Sequence, residues 1–223
     1  MLIRQNVLWC VELDDELRHR AQRFIEALPN MHPQPLEAGK GGLEAFDPTV
    51  KLYILAHGHA RMPLFTSSHV AWTAEQLADR LVADGLSRQQ RDIELLVCHA
   101  GESVNSREGA AKLMAIRDEF LRAKQAGKDG KVKKLVQKFE NLSAKLPQPT
   151  FFENDPERLL LPLAAQLAAA LKRRGFTHFR IISYKCPVAQ YNPDGYVYLD
   201  LTPKGGAWGV RADDHPEYRV VWH

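Results

Sequence analysis

Four continuous apolar runs stand out along the chain: Val7-Leu8-Trp9-Cys10-Val11, Leu52-Tyr53-Ile54-Leu55-Ala56, Ile93-Glu94-Leu95-Leu96-Val97 and Phe179-Arg180-Ile181-Ile182-Ser183-Tyr184. Runs of this length without polar alternation predict strands covered on both faces. Between them the apolar positions change to helical spacing. From Asp14 to Leu28, the residues Leu17, Ala21, Phe24, Ile25 and Leu28 recur on one face. Thr73 to Leu86 opens with Thr73 and Gln76, the pattern of a capping box, carries Leu77 and Leu81, and closes at Gly85. Leu163 to Arg174 repeats the pattern with Leu163, Leu167, Ala170 and Leu171 and stops at Gly175. Asp155-Pro156 offers a cap for an earlier turn, which Pro162 interrupts.

Strand, helix, strand, helix, strand in this order predicts a mostly parallel α/β sheet, with right-handed crossovers placing the helices on its faces. Two regions depart from the alternation. Pro29 to Val50, rich in Pro and Gly, reads as one long loop. Asn105 to Leu146 reads as two helices around Ala126-Gly127-Lys128-Asp129-Gly130, a helical hairpin inserted after the third strand. Such a hairpin is expected to project and to add little to the packing of the core. Beyond Pro187, Gly195-Tyr196-Val197-Tyr198-Leu199 and Tyr218-Arg219-Val220-Val221-Trp222 predict two extra strands, antiparallel to their neighbours. The whole chain, 1–223, reads as a single domain with the hairpin, 105–146, inside it.

Composition narrows this little: 45% hydrophobic and 26% charged residues are ordinary for a globular chain. No apolar run approaches the roughly 20 residues of a membrane span. The start, Met1-Leu2-Ile3-Arg4-Gln5-Asn6, turns polar too early for a secretory signal. Three cysteines, Cys10, Cys98 and Cys186, with no CxxC spacing, argue for a reducing compartment. The expected location is the cytoplasm, or export without a signal peptide. The net charge of +3 is unevenly spread, because residues 107–145 hold eleven Lys/Arg against five Asp/Glu.

The ends of the second and third strands carry unusual residues. One runs into His57-Gly58-His59, the other into Cys98-His99-Ala100-Gly101-Glu102-Ser103. Ligands of open α/β sheets bind beyond the carboxyl ends of the strands. If these two strands are neighbours, His57 and Cys98 leave the sheet at one edge. A thiol with a pKa near 8.5 is only about 3% ionised at neutral pH. A nearby imidazole activates it by accepting its proton and then serves the leaving group as general acid. Gly58, with no side chain, lets its N–H approach a substrate carbonyl, and with the Cys98 N–H it makes an oxyanion hole.

An apolar block ending in His-Gly, a helix, then an apolar block ending in Cys and a small-residue turn resembles the clan CD cysteine peptidases. That group includes caspases, separase, gingipains and the autoprocessing domains of bacterial toxins. The likeness covers about residues 50 to 187, with Val7 to Leu28 as a first unit. It implies a caspase-like sheet and a peptide or protein substrate cleaved through a thioester, with no cofactor. By the match His57 is the general base, Cys98 the nucleophile and Gly58 an oxyanion donor. His59 and His99 are possible accessory groups, and the segment after the fourth strand, Ser183, Tyr184 and Lys185, is the expected wall of the substrate pocket. Two features depart from the family pattern: His99 directly after Cys98, and the helical hairpin.

Other readings stay open at this stage. His57 and His59 with Cys98 or His99 supply zinc ligand types. Cys98-x-x-Gly101-x-Ser103 resembles part of a phosphatase loop, but position 104 is Val and Arg107 comes three residues too late. A caspase-like fold without activity would be a binding module. Lys128, Lys131, Lys133, Lys134 and Lys138 of the hairpin predict a solvated helix face opposite Leu135, Val136, Phe139 and Leu142, or a surface for an anionic partner.

Overall fold

The computed structural model describes residues 2–59, 62–101, 107–145, 162–188, 197–199 and 209–223. Its centre is a six-stranded sheet in the order β11-β8-β7-β3-β1-β2. The strands are β1 (Val7–Cys10), β2 (Leu36–Glu37), β3 (Lys51–Leu55), β7 (Asp92–Leu96), β8 (Arg180–Tyr184) and β11 (Arg219–Trp222). All neighbours are parallel except β11, which runs antiparallel to β8. The strands expected at 52–56 and 93–97 lie side by side, with Leu52 opposite Ile93 and Leu55 opposite Leu96.

Register pairs Leu8 with Tyr53 and Trp9 with Ile54, so these pairs face opposite sides of the sheet. On one side the Tyr53 ring meets Phe24 of helix α1 (Asp15–Ala27) edge-on, with centroids 4.9 Å apart. Asp14 caps this helix by accepting from Leu17 N–H at 2.8 Å. On the other side Trp9 donates to the carboxylate of Asp84 at 3.0 Å, at the end of α2 (Ala74–Ala83). The capping box of Thr73 and Gln76 is formed. Helix α2 packs against α5 (Leu163–Arg173), and Arg174 joins them through Asp79 and Glu75. Gly85 and Gly175 follow the two helices with φ of 92° and 86°, the left-handed conformation that a chain reversal needs.

The segment read as one loop, 29–50, holds the edge strand β2 and a short 3₁₀ turn at Leu43–Ala45. A two-residue strand is too short to show a period. A second feature was not legible either. After β3 the chain forms a small antiparallel meander of β4 (His57–His59), β5 (Met62–Thr66) and β6 (Ala71–Trp72) before entering α2. Pro63 in β5 argues against a strand at sequence level, yet it is accommodated in this short three-stranded sheet.

Helices α3 (Arg107–Gln125) and α4 (Asp129–Lys145) pack on each other. They bury Leu113, Ile116, Phe120, Leu135 and Phe139 in one cluster with Leu64 of β5. The pair is seated on the meander through Leu64, in a cluster separate from the main core. Lys128, Lys131, Lys133, Lys134 and Lys138 are exposed, as the pattern predicts. Two further short strands, β9 (Tyr198–Leu199) and β10 (Val210–Arg211), pair antiparallel. They contribute to a cluster with Ile182, Tyr184 and Cys186 at the end of β8. Asp155-Pro156, Gly195 and Tyr196 lie outside the described residues. Among the described residues no helix is long and apolar enough to cross a membrane.

Candidate active site

Leu55 and Leu96 are the last paired residues of β3 and β7. His57 and Cys98 each stand two positions further on, His57 opening β4 and Cys98 in the turn that follows β7. The two chains stay in contact past the last pair. A Cβ built on Gly58 would fall 2.1 Å from the Cys98 carbonyl oxygen and 2.7 Å from a Val97 methyl. Only a residue without a side chain lets the His57-Gly58 backbone lie this close to Val97-Cys98. The residue proposed as an oxyanion donor is thus also the one that permits the approach.

Cys98 is a half-buried thiol that is in no disulfide. Its sulfur lies 3.8 Å from the Val188 carbonyl oxygen. The chain then turns sharply, because His99 has φ of 58°, a left-handed conformation that costs a non-glycine residue about 1–2 kcal/mol. Ala100 N–H closes the turn on the Val97 carbonyl at 3.4 Å, and further bonds tie it to its neighbours. His99 N–H donates to the Cys186 carbonyl at 3.1 Å and Gly101 N–H to the Tyr184 carbonyl at 2.9 Å. The Ala100 carbonyl accepts from Ala164 N–H at 3.0 Å, in the first turn of α5. Pro162 precedes that turn with no capping side chain, so the site loop supplies an acceptor to the helix start. Cys98 therefore sits at the exit of a strand, on a turn clamped between β8 and α5.

The segment 183–185 supports this turn through its backbone, and its side chains are engaged elsewhere. Ser183 is fully buried, accepts from the indole of Trp222 at 3.1 Å and donates to Val220 at 3.5 Å. The buried Tyr184 hydroxyl donates to Glu94 at 2.6 Å. Lys185 extends to the Glu217 carbonyl at 3.1 Å. Ser183 and Tyr184 are thus buried side chains with partners inside the fold.

The side chain of His57 is 25% exposed, and its Nε2 lies 3.5 Å from a carboxylate oxygen of Glu16 on α1. The other oxygen of Glu16 accepts from Arg20 at 2.6 Å. Burial pushes the imidazole pKa below its ordinary 6.5, and the Arg20 guanidinium and the Lys124 ammonium act in the same direction. Glu16 and Asp14 oppose them. A neutral imidazole at neutral pH is the state able to accept a proton.

The meander that begins at His57 is fixed by two carboxylates from the β1–α1 connection. Glu12 accepts from the Ser67 hydroxyl, from His69 N–H at 3.1 Å and from the His69 ring at 2.9 Å. Asp14 accepts from Ser68 N–H at 2.9 Å and from its hydroxyl at 2.6 Å. These bonds hold both carboxyl groups below their ordinary range, against some loss of hydration. From α3, Lys124 donates to the Ser67 carbonyl. None of Glu12, Asp14, Glu16, Arg20 or Lys124 is singled out by the sequence. The one visible signal is the spacing of Glu16 and Arg20, four apart on a helix that starts beside the strand ends.

No protein-family model matches the sequence, and no curated protein matches it. Function therefore rests on the site. The side chain of His59 and residues Glu102 to Ser106 lie outside the described residues, and with them Ser103 of the phosphatase-like pattern. Among the described residues no three His, Cys, Asp or Glu side chains gather as a metal site. Cys10 and Cys186 are buried and in no disulfide, and burial pushes the Cys10 thiol far up, which makes it unreactive.

Proposed function

We propose that this chain is a caspase-like cysteine peptidase with Cys98 as nucleophile and His57 as general base. The observation that supports the reading most is the close approach of Gly58 to the Cys98 carbonyl. It brings a His-Gly and a Cys together at the ends of neighbouring parallel strands. In this mechanism His57 takes the thiol proton as the sulfur attacks a peptide carbonyl. The N–H groups of Gly58 and Cys98 hold the developing oxyanion, an effect worth roughly 3–4 kcal/mol per donor in studied enzymes. The C–N bond then breaks, and the amine leaves with the proton from His57. Water attacks the thioester, again giving its proton to His57, and the acid product departs as the thiol is restored.

The test is labelling and turnover. A thiol-directed peptide electrophile should modify Cys98 in preference to Cys10 and Cys186, located by peptide mass mapping. A broad peptide library should be cleaved. Cys98→Ala should abolish both while keeping the circular dichroism spectrum. Cys98→Ser should be almost inactive, because a hydroxyl is far less ionised than a thiol. His57→Ala should lower the labelling rate by about 10²-fold or more, on the scale of general-base catalysis. Absence of cleavage, with Cys98 no more reactive than free cysteine, would leave the inactive binding module. Loss of activity to a chelator and its return with zinc would point to a metal enzyme instead.

A further inference from the structure

We propose that Glu16 is the positioning residue for His57, tethered by Arg20, so that the working unit is Cys98, His57 and Glu16. This rests on the peptidase reading above. The arrangement is carried by one helix. Glu16 and Arg20 are four residues apart on α1, in the favourable order of acid before base. The Arg20 side chain is only 16% exposed, whereas that of Glu16 is 55% exposed. The exposed carboxylate is thus held by a guanidinium whose side chain is itself largely buried. The Arg20 Nε is buried and has no hydrogen-bond partner among the described residues, so the bond to Glu16 is the principal one this side chain makes there.

A carboxylate on the Nε2 side of an imidazole selects the tautomer that carries its proton on Nε2. Nδ1 then keeps its lone pair and becomes the atom that accepts the thiol proton. The separation of 3.5 Å is longer than a good hydrogen bond. Catalytic contacts are commonly long in the free enzyme and tighten when substrate binds. When the proton moves, the imidazolium gains a partner in Glu16, while Arg20 prevents Glu16 from holding the ring protonated at rest. The charged groups that act on His57 are Asp14, Glu16 and Arg20 from α1 and its cap, and Lys124 from α3. Glu16 and Arg20 pull in opposite directions.

Those opposite signs make the test specific. The chain has nine histidines, and the His57 ring signal is assigned in a labelled sample by its absence in His57→Gln. Glu16→Gln keeps the size and removes the charge, so the His57 titration midpoint should fall by about half a unit or more. Arg20→Met should raise it. In Glu16→Ala the ring nitrogen shifts should change from one dominant tautomer to a mixture. A midpoint and tautomer unmoved by Glu16→Gln and Glu16→Ala would overturn the proposal, whatever the Arg20 variant does. Glu16 is half exposed, so both substitutions keep the fold. The pH profile of Cys98 alkylation separates the two readings. If its inflection follows the shifted His57 midpoint, the unit of three stands. If the ring signals shift as stated but Cys98 alkylates like free cysteine, Glu16 still positions His57, and the peptidase reading fails.

Discussion

Gly58 shows how a single missing side chain sets a site. The space that a Cβ would need is filled by the Cys98 carbonyl and a Val97 methyl. Neither can retreat easily, since Val97 is fully buried and the turn after Cys98 is clamped to β8 and α5. Gly58→Ala should therefore push the two strand ends apart and cost about 2–3 kcal/mol, the range of overpacking substitutions. Urea denaturation measures that cost, and Cys98 labelling should slow in the variant even where it remains folded. At this scale the meeting of His57-Gly58 with Cys98 could be read from the sequence, because each stands at the end of a long apolar run. Glu16 and Arg20 could not, because an acid and a base four apart on a helix are ordinary surface residues. Ser183 and Tyr184 were legible as strand-end residues, but their side chains turn to Trp222 and Glu94, partners whose proximity only the folded register determines.

Among the elements, the buried carboxylate of Glu94 joins three strands. It lies on β7, accepts from Lys51 of β3 at 2.9 Å and from the Tyr184 hydroxyl of β8 at 2.6 Å. Glu94→Ala would leave an ammonium and a phenol without this acceptor, and because Lys51 is only partly buried the cost should be about 2–3 kcal/mol, below the roughly 3–5 of a fully buried ion pair. A fall of that size in urea is expected, with Glu94→Gln, which keeps an acceptor, between the variant and the parent. The meander is more local. Leu64 is fully buried against α3 and α4. Leu64→Ala should cost about 2–4 kcal/mol and should raise amide exchange in 62–72 and 107–145 together. Exchange confined to 62–72 would mean that the helices stand without the meander. The long strands were legible as continuous apolar runs, and helices α1, α2 and α5 because each repeats its period over several turns. Strands β2, β4 and β6 were not, since two or three residues make no run, and in β5 Pro63 points the other way. The dependence of α3 and α4 on one residue of β5 is a tertiary contact and leaves no local pattern.

For the molecule as a whole, stability should have a plateau with two falling flanks. On the acid side His57 is held below its ordinary 6.5 chiefly by burial. The unfolded chain then binds a proton more readily than the folded one, and stability falls as pH drops below about 6.5 and through the folded midpoint. Glu12 and Asp14 are also depressed, so the stability they contribute is present above their ordinary values near 4 and is lost as pH falls through the folded ones. On the alkaline side Lys51 is raised by Glu94 in spite of burial. Its contribution is full below about 10.4 and is lost as pH climbs through the folded value. Tyr53 and Tyr184 are raised by burial and by Glu94, and they act in the same sense, because the unfolded phenols ionise first. Thermal unfolding across pH 3 to 11 should show each step, and variants assign them. His57→Gln should flatten the fall that begins below about 6.5 and leave the rest unchanged. Glu12→Gln and Asp14→Asn should lower the plateau and flatten the steeper fall near 4, because the bonds from Ser67, Ser68 and His69 then no longer depend on a charge. A profile that falls in one step near 4 in the parent and in His57→Gln alike would mean that burial does not hold His57 below its ordinary value in the folded chain.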